Sequence, residues 1–436
     1  MKHILAIGLL ALAIPASAQD TGDALLAQLN ATRVAVISDG DFLASTYADA
    51  ELAPHGRYGD VLTLFTRVDG RIIRSSVEVS NSVTAAPEIL VASPDGRMLY
   101  AVDRLARATP EARRTPDLAP GRTLTVARAD EAGTLSIAAT REIPPSSEGL
   151  ALSPDGRWLA VVGNDAQRAT LAIVPLRDGL PGEPVVFDVA NLGLTGTGEG
   201  PRSGLTLTNV QWRPDGRALA VNDNTGGRVA FFRFEAGEQP NLSAWGAPVA
   251  TGPDPFVGRF TPNGRFYLTS EWGRDFAAAD LDGRLPTTPG TLGVTRLDED
   301  GQHERVREIA TDSNPEGIAI SPDGRLIATV NMRSTLFPGQ PRFTREATVT
   351  LLAFDPGTGD AQKLSDTPFE GVLPEGATFD VDGGHLLVTV FQGHEGQADQ
   401  AGLVVFRVDR SGETPRLVQA GRIAAPHGVH HVVVTP

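Results

Sequence analysis

The sequence predicts an all-β fold, a seven-bladed β-propeller, and three observations support this prediction. A turn phrase recurs along the chain at nearly even spacing, β-rich runs flank each copy, and the two chain ends supply complementary parts of one more unit. Repeats that each bury one face against a neighbour are typical of propellers and related repeat folds. We predict one propeller domain over residues 19–436, preceded by a signal peptide over residues 1–18.

The recurring phrase is a hairpin signal, as in SPDGRMLYAV from Ser93 and SPDGRWLAVV from Ser153. Proline presets φ at the first central turn position, aspartate tolerates the second, and glycine takes the left-handed position. Six copies lie about 60 residues apart, except for one interval of 48. Their turn centres are Pro94–Gly96, Pro154–Gly156, Pro214–Gly216, Pro262–Gly264, Pro322–Gly324 and Val381–Gly383.

Each unit is predicted to hold four antiparallel strands, named A to D from the axis outwards. The chain ends with PHGVHHVVVTP, an inner strand that no turn follows, while the N-terminal part offers SDGDFLASTYA, DVLTLFTRV and RIIRSSVEV. We interpret these segments as the missing turn and the three outer strands of a seventh blade, because such closure removes exposed sheet edges. Two smaller propellers or a β-sandwich array would leave the complementary ends unexplained.

The first 18 residues have the pattern of a secretory signal peptide. Lys2 and His3 precede an apolar run from Ile4 to Ile14, and Ala16-Ser17-Ala18 is a small-residue cleavage site. The apolar run is too short to span a bilayer. We predict cleavage near Ala18 and a periplasmic or secreted mature protein.

Composition excludes several classes of function. The chain has no cysteine and a formal net charge of −15 at pH 7. Without cysteine there are no disulfides, no thiolate metal sites and no c-type haem. The acidic charge argues against nucleic acid and anionic membranes as partners. The sequence contains no glycine-rich loop of the kind that binds phosphate, so we expect no nucleotide cofactor. We expect a monomer that binds a small molecule or protein whose identity the sequence leaves open.

The long insertions are predicted to crowd one face of the propeller. In an antiparallel blade the B–C loops and D–A crossings share one face, here named the loop face, and the A–B turns lie on the other, the turn face. The insertions are the B–C loops Tyr47–Gly59, Asp103–Gly121, Trp272–Pro289, Met332–Glu346 and Gln392–Ala401, and the D–A crossing Asn191–Leu205. Functional sites are usually mounted on such loops, although tolerated loop growth would give the same pattern.

One position on each strand A carries the candidate site. It lies six residues before the turn proline or its counterpart, where the strand meets the loop face. These ring positions are Glu88, Glu148, Thr208, Phe256, Glu316, Glu375 and His430. Blade symmetry is expected to bring four carboxylates and an imidazole to the channel mouth, and the predicted ligand-binding residues are Glu88, Glu148, Glu316, Glu375 and His430.

Carboxylates held this close together need compensation. Either some of them keep a proton, with a raised pKa, or a cation lies among them. Ca²⁺ or Mg²⁺ suits all-oxygen ligands, and Glu148, Glu316 and Glu375 are the predicted metal ligands. Alternatively, each glutamate accepts hydrogen bonds from the next blade. Polar loop residues such as Trp272 and Arg274 are weaker candidates.

PEGIAISPDGRLIATVN and SPDGRWLAVV resemble phrases of the seven-bladed lactonase-type propellers, which include 6-phosphogluconolactonase-like enzymes and YVTN-repeat proteins. The resemblance covers nearly the whole mature chain and implies the propeller fold. It also implies a catalytic His, Glu and two Arg at or beside the starts of successive A strands. The His position carries Thr208 and Asn209, and the two Arg positions carry Phe256 and Glu375. Glu316 stands at the Glu position but one residue out of register, so the catalytic set is largely not matched.

Two functional hypotheses follow. The first is an exported binding or scaffold protein whose carboxylate-lined channel mouth holds a divalent cation. The alternative is a lactonase-like or esterase-like hydrolase, in which that cation polarises a carbonyl and a glutamate or His430 activates water. Its catalytic candidates are Glu316, Glu148 and His430. The unmatched family set favours the first hypothesis, and the sequence leaves open whether the chain is an enzyme.

Overall fold

The computed structural model describes residues 16–82, 88–199, 201–237, 239–275, 277–278, 281–286, 288–336, 340, 342–394 and 400–436. These residues form seven antiparallel units of at least four strands each, in sequential order around an axis. The predicted seven-bladed β-propeller is therefore confirmed. Most of the predicted signal peptide lies outside the described residues.

Blades 1 to 6 follow one another along the chain. Their strands A to D are Leu90–Ala92, Met98–Val102, Thr123–Ala129 and Leu135–Glu142 in blade 1; Ser147–Leu152, Trp158–Asn164, Ala169–Arg177 and Val185–Asp188 in blade 2; Leu207–Trp212, Ala218–Asp223, Arg228–Glu235 and Asn241–Ala244 in blade 3; Pro255–Phe260, Phe266–Glu271, Thr291–Arg296 and Glu304–Ala310 in blade 4; Pro315–Ile320, Leu326–Asn331, Glu346–Phe354 and Ala361–Glu370 in blade 5; and Ala377–Phe379, His385–Val390, Gly402–Asp409 and Arg416–Ala424 in blade 6.

Blade 7 joins the two ends of the chain, as predicted, but with a different second strand. Its strands are Val429–Thr435, Arg33–Ser38, Val61–Val68 and Arg71–Glu78, in that order outwards. The segment SDGDFLASTYA was expected to supply the turn and strand B. It instead leads into the B–C loop, because RVAVIS just before it pairs with the C-terminal strand.

Several short elements complete the chain. They are the helices Ala16–Gln28, Thr46–Asp49 and Leu281–Arg284, the 3₁₀ helices Thr115–Asp117, Val189–Leu192 and Pro201–Gly204, and the short strands Leu105–Ala106, Ala119–Pro120, Leu180–Pro181 and Val249–Ala250. The first helix, which the sequence did not predict, packs Leu25 and Leu26 against the outer strands of blades 6 and 7. Within the described residues, no helix is long and apolar enough to cross a membrane.

The core lies in apolar layers between neighbouring blades. Between blades 1 and 2, for example, Leu99 and Val126 share one buried cluster with Leu159 and Val161. Successive side chains of a strand point to opposite faces of the sheet, and here each face is buried against a neighbouring blade. The turn glycines have the predicted left-handed conformation, as at Gly156 with φ 68°.

The start of strand A is irregular in most blades. The strand pairing shifts register at the ring positions Glu148, Thr208, Phe256, Glu316 and His430. Such β-bulges re-aim side chains and are frequent next to functional sites. They lie at the loop-face end of the channel.

Candidate active site

The long loops pack against one another over the channel. Their apolar side chains form one buried cluster, here named the cap, made of Phe42, Ala44, Leu52, Ala112, Leu118, Trp272, Leu285, Met332, Leu336, Val372, Leu373 and Phe391. Four of the six predicted insertions contribute to the cap, whereas Asn191–Leu205 packs in a different cluster and the described part of Gln392–Ala401 adds no member. The ring positions beneath the cap are at most 4% exposed, so the cap covers the predicted channel mouth.

Two of the predicted glutamates, Glu316 and Glu375, lie near each other under the cap, and Glu148 acts on the same arginine, Arg274, as Glu316. Burial raises the pKa of Glu316 to about 8; Arg274 opposes this rise and Asp254 adds to it. Burial, together with repulsion from Glu316, raises the pKa of Glu375 well above its ordinary value. Burial thus favours the protonated form of both carboxyls, which corresponds to the first of the two compensations considered from the sequence.

Arginines also reach this cluster, which corrects the expectation of a purely anionic mouth. Arg104 Nε lies 2.5 Å from Glu148 Oε1. Arg274 binds Asp254 through Nε and Nη2, at 2.6 and 3.0 Å. Burial alone would lower the pKa of Arg274, but the charges of Asp254, Glu316 and Glu148 raise it. Arg274 is therefore close to two of the candidate glutamates.

Aromatic side chains complete this end of the channel. Trp272 stacks on Phe256 with a centroid distance of 5.5 Å, and the Arg274 guanidinium lies 4.4 Å from the Trp272 ring centre. Tyr47 donates a hydrogen bond to Glu375 Oε1 at 3.4 Å. Burial and the charges of Glu375 and neighbouring acids raise the pKa of Tyr47 well above 10. We name Glu148, Glu316, Glu375, Arg104, Arg274, Trp272 and Tyr47 the loop-face site.

Several buried polar atoms at the loop-face end have no hydrogen-bond partner among the described residues. They include the Oε2 atoms of three glutamates, the side-chain amide of Asn314, Asn224 Oδ1 and Trp272 Nε1; the glutamates are Glu148, Glu316 and Glu375. Buried polar groups in native proteins are nearly always paired. This mixture of donors and acceptors therefore fits a ligand that carries several hydroxyl groups.

The glycines that follow Glu316 and Glu375 allow neighbouring A strands to approach closely. A Cβ on Gly317 would clash with the backbone oxygen of Glu375, and one on Gly376 would lie 2.7 Å from the backbone oxygen of His430. Neighbouring A strands approach most closely here, so only glycine fits. The recurring Pro-Glu-Gly phrase thus brings adjacent ring positions together.

Other ring positions have structural or separate roles. Thr208 Oγ1 donates to the backbone oxygen of Phe256 at 2.9 Å. His430 is fully buried, and its Nε2 lies 3.2 Å from Asn81 Oδ1. Glu88 leaves the expected group, because its Oε2 crosses the channel to Arg259 and to Asn209 Nδ2 at 2.8 Å.

The structure gives no arrangement that supports the predicted metal. Among the described residues, no three His, Asp or Glu side chains are grouped so that they could hold a metal ion. Burial favours the protonated forms of Glu316 and Glu375, and the Arg104 guanidinium lies beside Glu148. The Ca²⁺ or Mg²⁺ site stays a prediction.

Arg104 and Tyr47 were missed as site residues, and Arg274 was ranked too low. Arg104, Arg274 and Arg333 all follow the end of a strand B by two or three residues. This recurrence was the available signal for the arginines. Tyr47 lies in a loop without any repeat partner and gave no such signal.

Comparison with known proteins agrees with the propeller fold. The family profile for the seven-bladed β-propeller lactonases matches residues 72–433. No protein with a curated description matches the chain significantly.

Solved structures with the same fold match nearly the whole chain. The periplasmic gluconolactonase PpgL of Pseudomonas aeruginosa is 19% identical with a TM-score of 0.61, and the match covers 93% of this chain and 100% of that one. A presumed 6-phosphogluconolactonase of Bacteroides uniformis is 18% identical with a TM-score of 0.63, over 93% and 99%. Because the family profile spans most of the sequence, this chain belongs to the lactonase family of seven-bladed β-propellers.

Proposed function

We propose that this chain is an exported hydrolase that opens a polyhydroxylated lactone at the loop-face site. The observation that carries the proposal is a set of buried carboxyl groups in two contrasting environments. Glu148 is ion-paired with Arg104, whereas burial raises the pKa of Glu316 to about 8. Environments that separate two carboxyls in this way assign a base and an acid to one site.

The reaction needs one proton acceptor and one proton donor. Glu148 Oε2, which has no partner among the described residues, accepts a proton as water attacks the lactone carbonyl carbon. The bond between that carbon and the ring oxygen then breaks, and the protonated Glu316 gives its proton to the leaving oxygen. The products are the hydroxy acid and a protonated Glu148, whose proton returns to Glu316.

Charge that develops on the carbonyl oxygen needs a nearby cation. Arg274 supplies it, because its own pKa responds to both Glu148 and Glu316 and it is therefore close to each. The site is covered by the apolar cap, and electrostatic stabilisation is stronger where water is excluded. Asp254 and the rings of Phe256 and Trp272 hold the guanidinium in place.

A polyhydroxylated substrate fits the polar atoms of the site. The hydroxyls of a sugar lactone would pair with the carboxyl oxygens and with Asn314, and its C–H face would stack on Trp272. The gluconolactonase activity named for the Pseudomonas aeruginosa relative supports this substrate class. Its periplasmic location supports export of this chain after cleavage near Ala18.

The surface supports the hydrolase better than the scaffold hypothesis. Among the described residues, the large apolar side chains that are exposed are Ile137, Leu180, Val186 and Val381, and none lies on a long loop of the loop face. The loops use their apolar side chains for the cap instead. A contiguous apolar patch for a protein partner is therefore absent from the described part of that face.

The test measures hydrolysis of glucono-1,5-lactone by residues 19–436. The reaction is monitored by the release of protons into a weakly buffered solution. We expect saturable hydrolysis above the spontaneous rate, and a fall in kcat of about 10²-fold or more for Glu148→Gln and for Glu316→Gln, the range for a lost acid or base. Glu271→Gln is the matched control, because Glu271 is equally buried but is engaged by Arg305 outside the site. Its kcat per folded molecule is expected to be unchanged.

Two results would contradict the proposal. The first is the absence of hydrolysis with a panel of γ- and δ-lactones that includes sugar lactones. The second is hydrolysis that Glu148→Gln and Glu316→Gln leave at the level of the control variant. The second result would place the reaction elsewhere on the chain.

A further inference from the structure

A second cavity occupies the opposite end of the channel. It has a volume of about 700 Å³ and opens on the turn face, and strand A of every blade contributes to its wall. Apolar residues dominate that wall, among them Leu152, Trp212, Phe260, Ile320, Phe379 and Val434. Loop-face hydrolysis uses none of these side chains, so the cavity is a separate feature of the chain.

Polar side chains are gathered at the inner end of this cavity. Glu88 Oε2 accepts hydrogen bonds from Asn209 and Gln211, at 2.8 and 2.9 Å, and forms an ion pair with Arg259. These contacts run from blade 1 to blades 3 and 4. Glu88 and the three side chains that contact it therefore separate the turn-face cavity from the loop-face site.

Two hydrogen-bond donors are left for a ligand at this inner end. Arg259 uses Nη1 for Glu88 and Gly258, and no hydrogen bond of the described residues engages its Nε or Nη2. His431 Nδ1 accepts the Leu90 N–H at 3.2 Å, so a neutral ring carries its proton on Nε2. Burial lowers the pKa of His431 well below 6.5, with Arg259 and His430 adding to the effect, which keeps the ring neutral.

The balance of charge decides which head group fits. Glu88 and Arg259 are the charged side chains that line the cavity, and they neutralise each other. A ligand carboxylate would add an uncompensated negative charge beside Glu88, and burying such a charge is costly. A carbonyl oxygen accepts the same hydrogen bonds from Arg259 and His431 without that cost.

We propose that the turn-face cavity binds a neutral amphiphile whose carbonyl oxygen accepts hydrogen bonds from Arg259 and His431 and whose apolar chain lies along the channel wall. This site is distinct from the loop-face site and does not rest on the proposed hydrolysis. Burial of an alkyl chain supplies the affinity, at about 0.8 kcal/mol per methylene group. The head group supplies the orientation.

The test is calorimetric titration of residues 19–436 with two ten-carbon probes, 2-decanone and decanoate, at pH 7. They share chain length and differ in head-group charge, and neither can be hydrolysed. We expect saturable binding of one molecule of 2-decanone, at least about tenfold tighter than decanoate, which corresponds to about 1.4 kcal/mol. Equal or tighter binding of decanoate would overturn the neutral head group, and no saturable binding of 2-decanone would overturn the site.

Two substitutions test the location. Leu152→Asp places a charge on the half-buried cavity wall and is expected to weaken 2-decanone binding at least tenfold. Val381→Asp is the control, because Val381 is exposed on the same face outside the cavity and should leave affinity unchanged. An unchanged affinity in Leu152→Asp would overturn the proposal. The double variant Glu88→Gln/Arg259→Met, which leaves no charge unpaired, removes the Arg259 donor and is expected to weaken 2-decanone binding. An unchanged affinity for 2-decanone would refute the role of Arg259.

Discussion

Replacing Glu316 with glutamine is expected to flatten the dependence of stability on pH. Burial raises the pKa of Glu316 from 4.5 to about 8, so the native state holds a proton that the unfolded chain has released between these values. The free energy of unfolding therefore falls as the pH rises through this window, and the contribution is absent below pH 4.5. A difference of about 3.5 pH units at about 1.4 kcal/mol per unit gives a loss of about 5 kcal/mol at most.

The assay is urea unfolding at a series of pH values from 4 to 9. Glutamine resembles the protonated carboxyl and does not titrate, so Glu316→Gln is expected to be more stable than the wild type near pH 8 and to show the smaller slope. Glu271→Gln, which removes a carboxylate held by Arg305 and two threonine hydroxyls, is expected to lose stability without flattening the curve. Equal slopes for Glu316→Gln and the wild type would refute the reasoning.

Three further predictions test the architecture and the site. Gly317→Ala is expected to lower the free energy of unfolding by about 1–3 kcal/mol, because the added Cβ would clash with a backbone oxygen. Gly412→Ala should change it little, because the nearest atom to its Cβ is 3.9 Å away. Equal urea midpoints for the two variants would contradict this prediction. Arg104→Gln removes the partner that holds Glu148 Oε1 and is expected to lower kcat/KM, whereas Arg333→Gln, at the matching position of blade 5, should leave it unchanged. Equal values of kcat/KM for the two variants would contradict a role of the Arg104–Glu148 pair. Val36→Pro interrupts the strand that pairs with the C-terminal strand and is expected to cost about 3 kcal/mol or more; a melting temperature equal to that of the wild type, measured by circular dichroism, would argue against the closure.

The propeller could be predicted from the sequence because its signals are local. Each Pro-Asp-Gly turn and its flanking strands lie within about 15 residues, and the left-handed φ at Gly156 and Gly324 is what the turn chemistry requires. The second strand of blade 7 could not be read in the same way. Arg33–Ser38 is recognisable as a strand only through its pairing with residues almost 400 positions later.

The composition of the site depended on contacts that the repeat does not encode. Ring symmetry predicted that Glu88, Glu148, Glu316 and Glu375 converge. In the structure Glu316 acts on Glu375, Arg274 responds to Glu148 and Glu316, and Glu88 lies apart from them. Glu88 differs because Asn209 and Arg259 donate hydrogen bonds to it across the channel. The cap was equally invisible, because its members come from loops of unrelated sequence.

The most direct test of the account is a crystal structure of residues 19–436 with glucono-1,5-lactam, an analogue of the lactone that resists hydrolysis. The account predicts the lactam beneath the cap, with its hydroxyls on carboxyl oxygens of Glu316 and Glu375 and its carbonyl toward Arg274. The same crystals would contradict the account if the lactam lay in the turn-face cavity, or if the loop-face site held only ordered water while the lactam inhibited hydrolysis in solution.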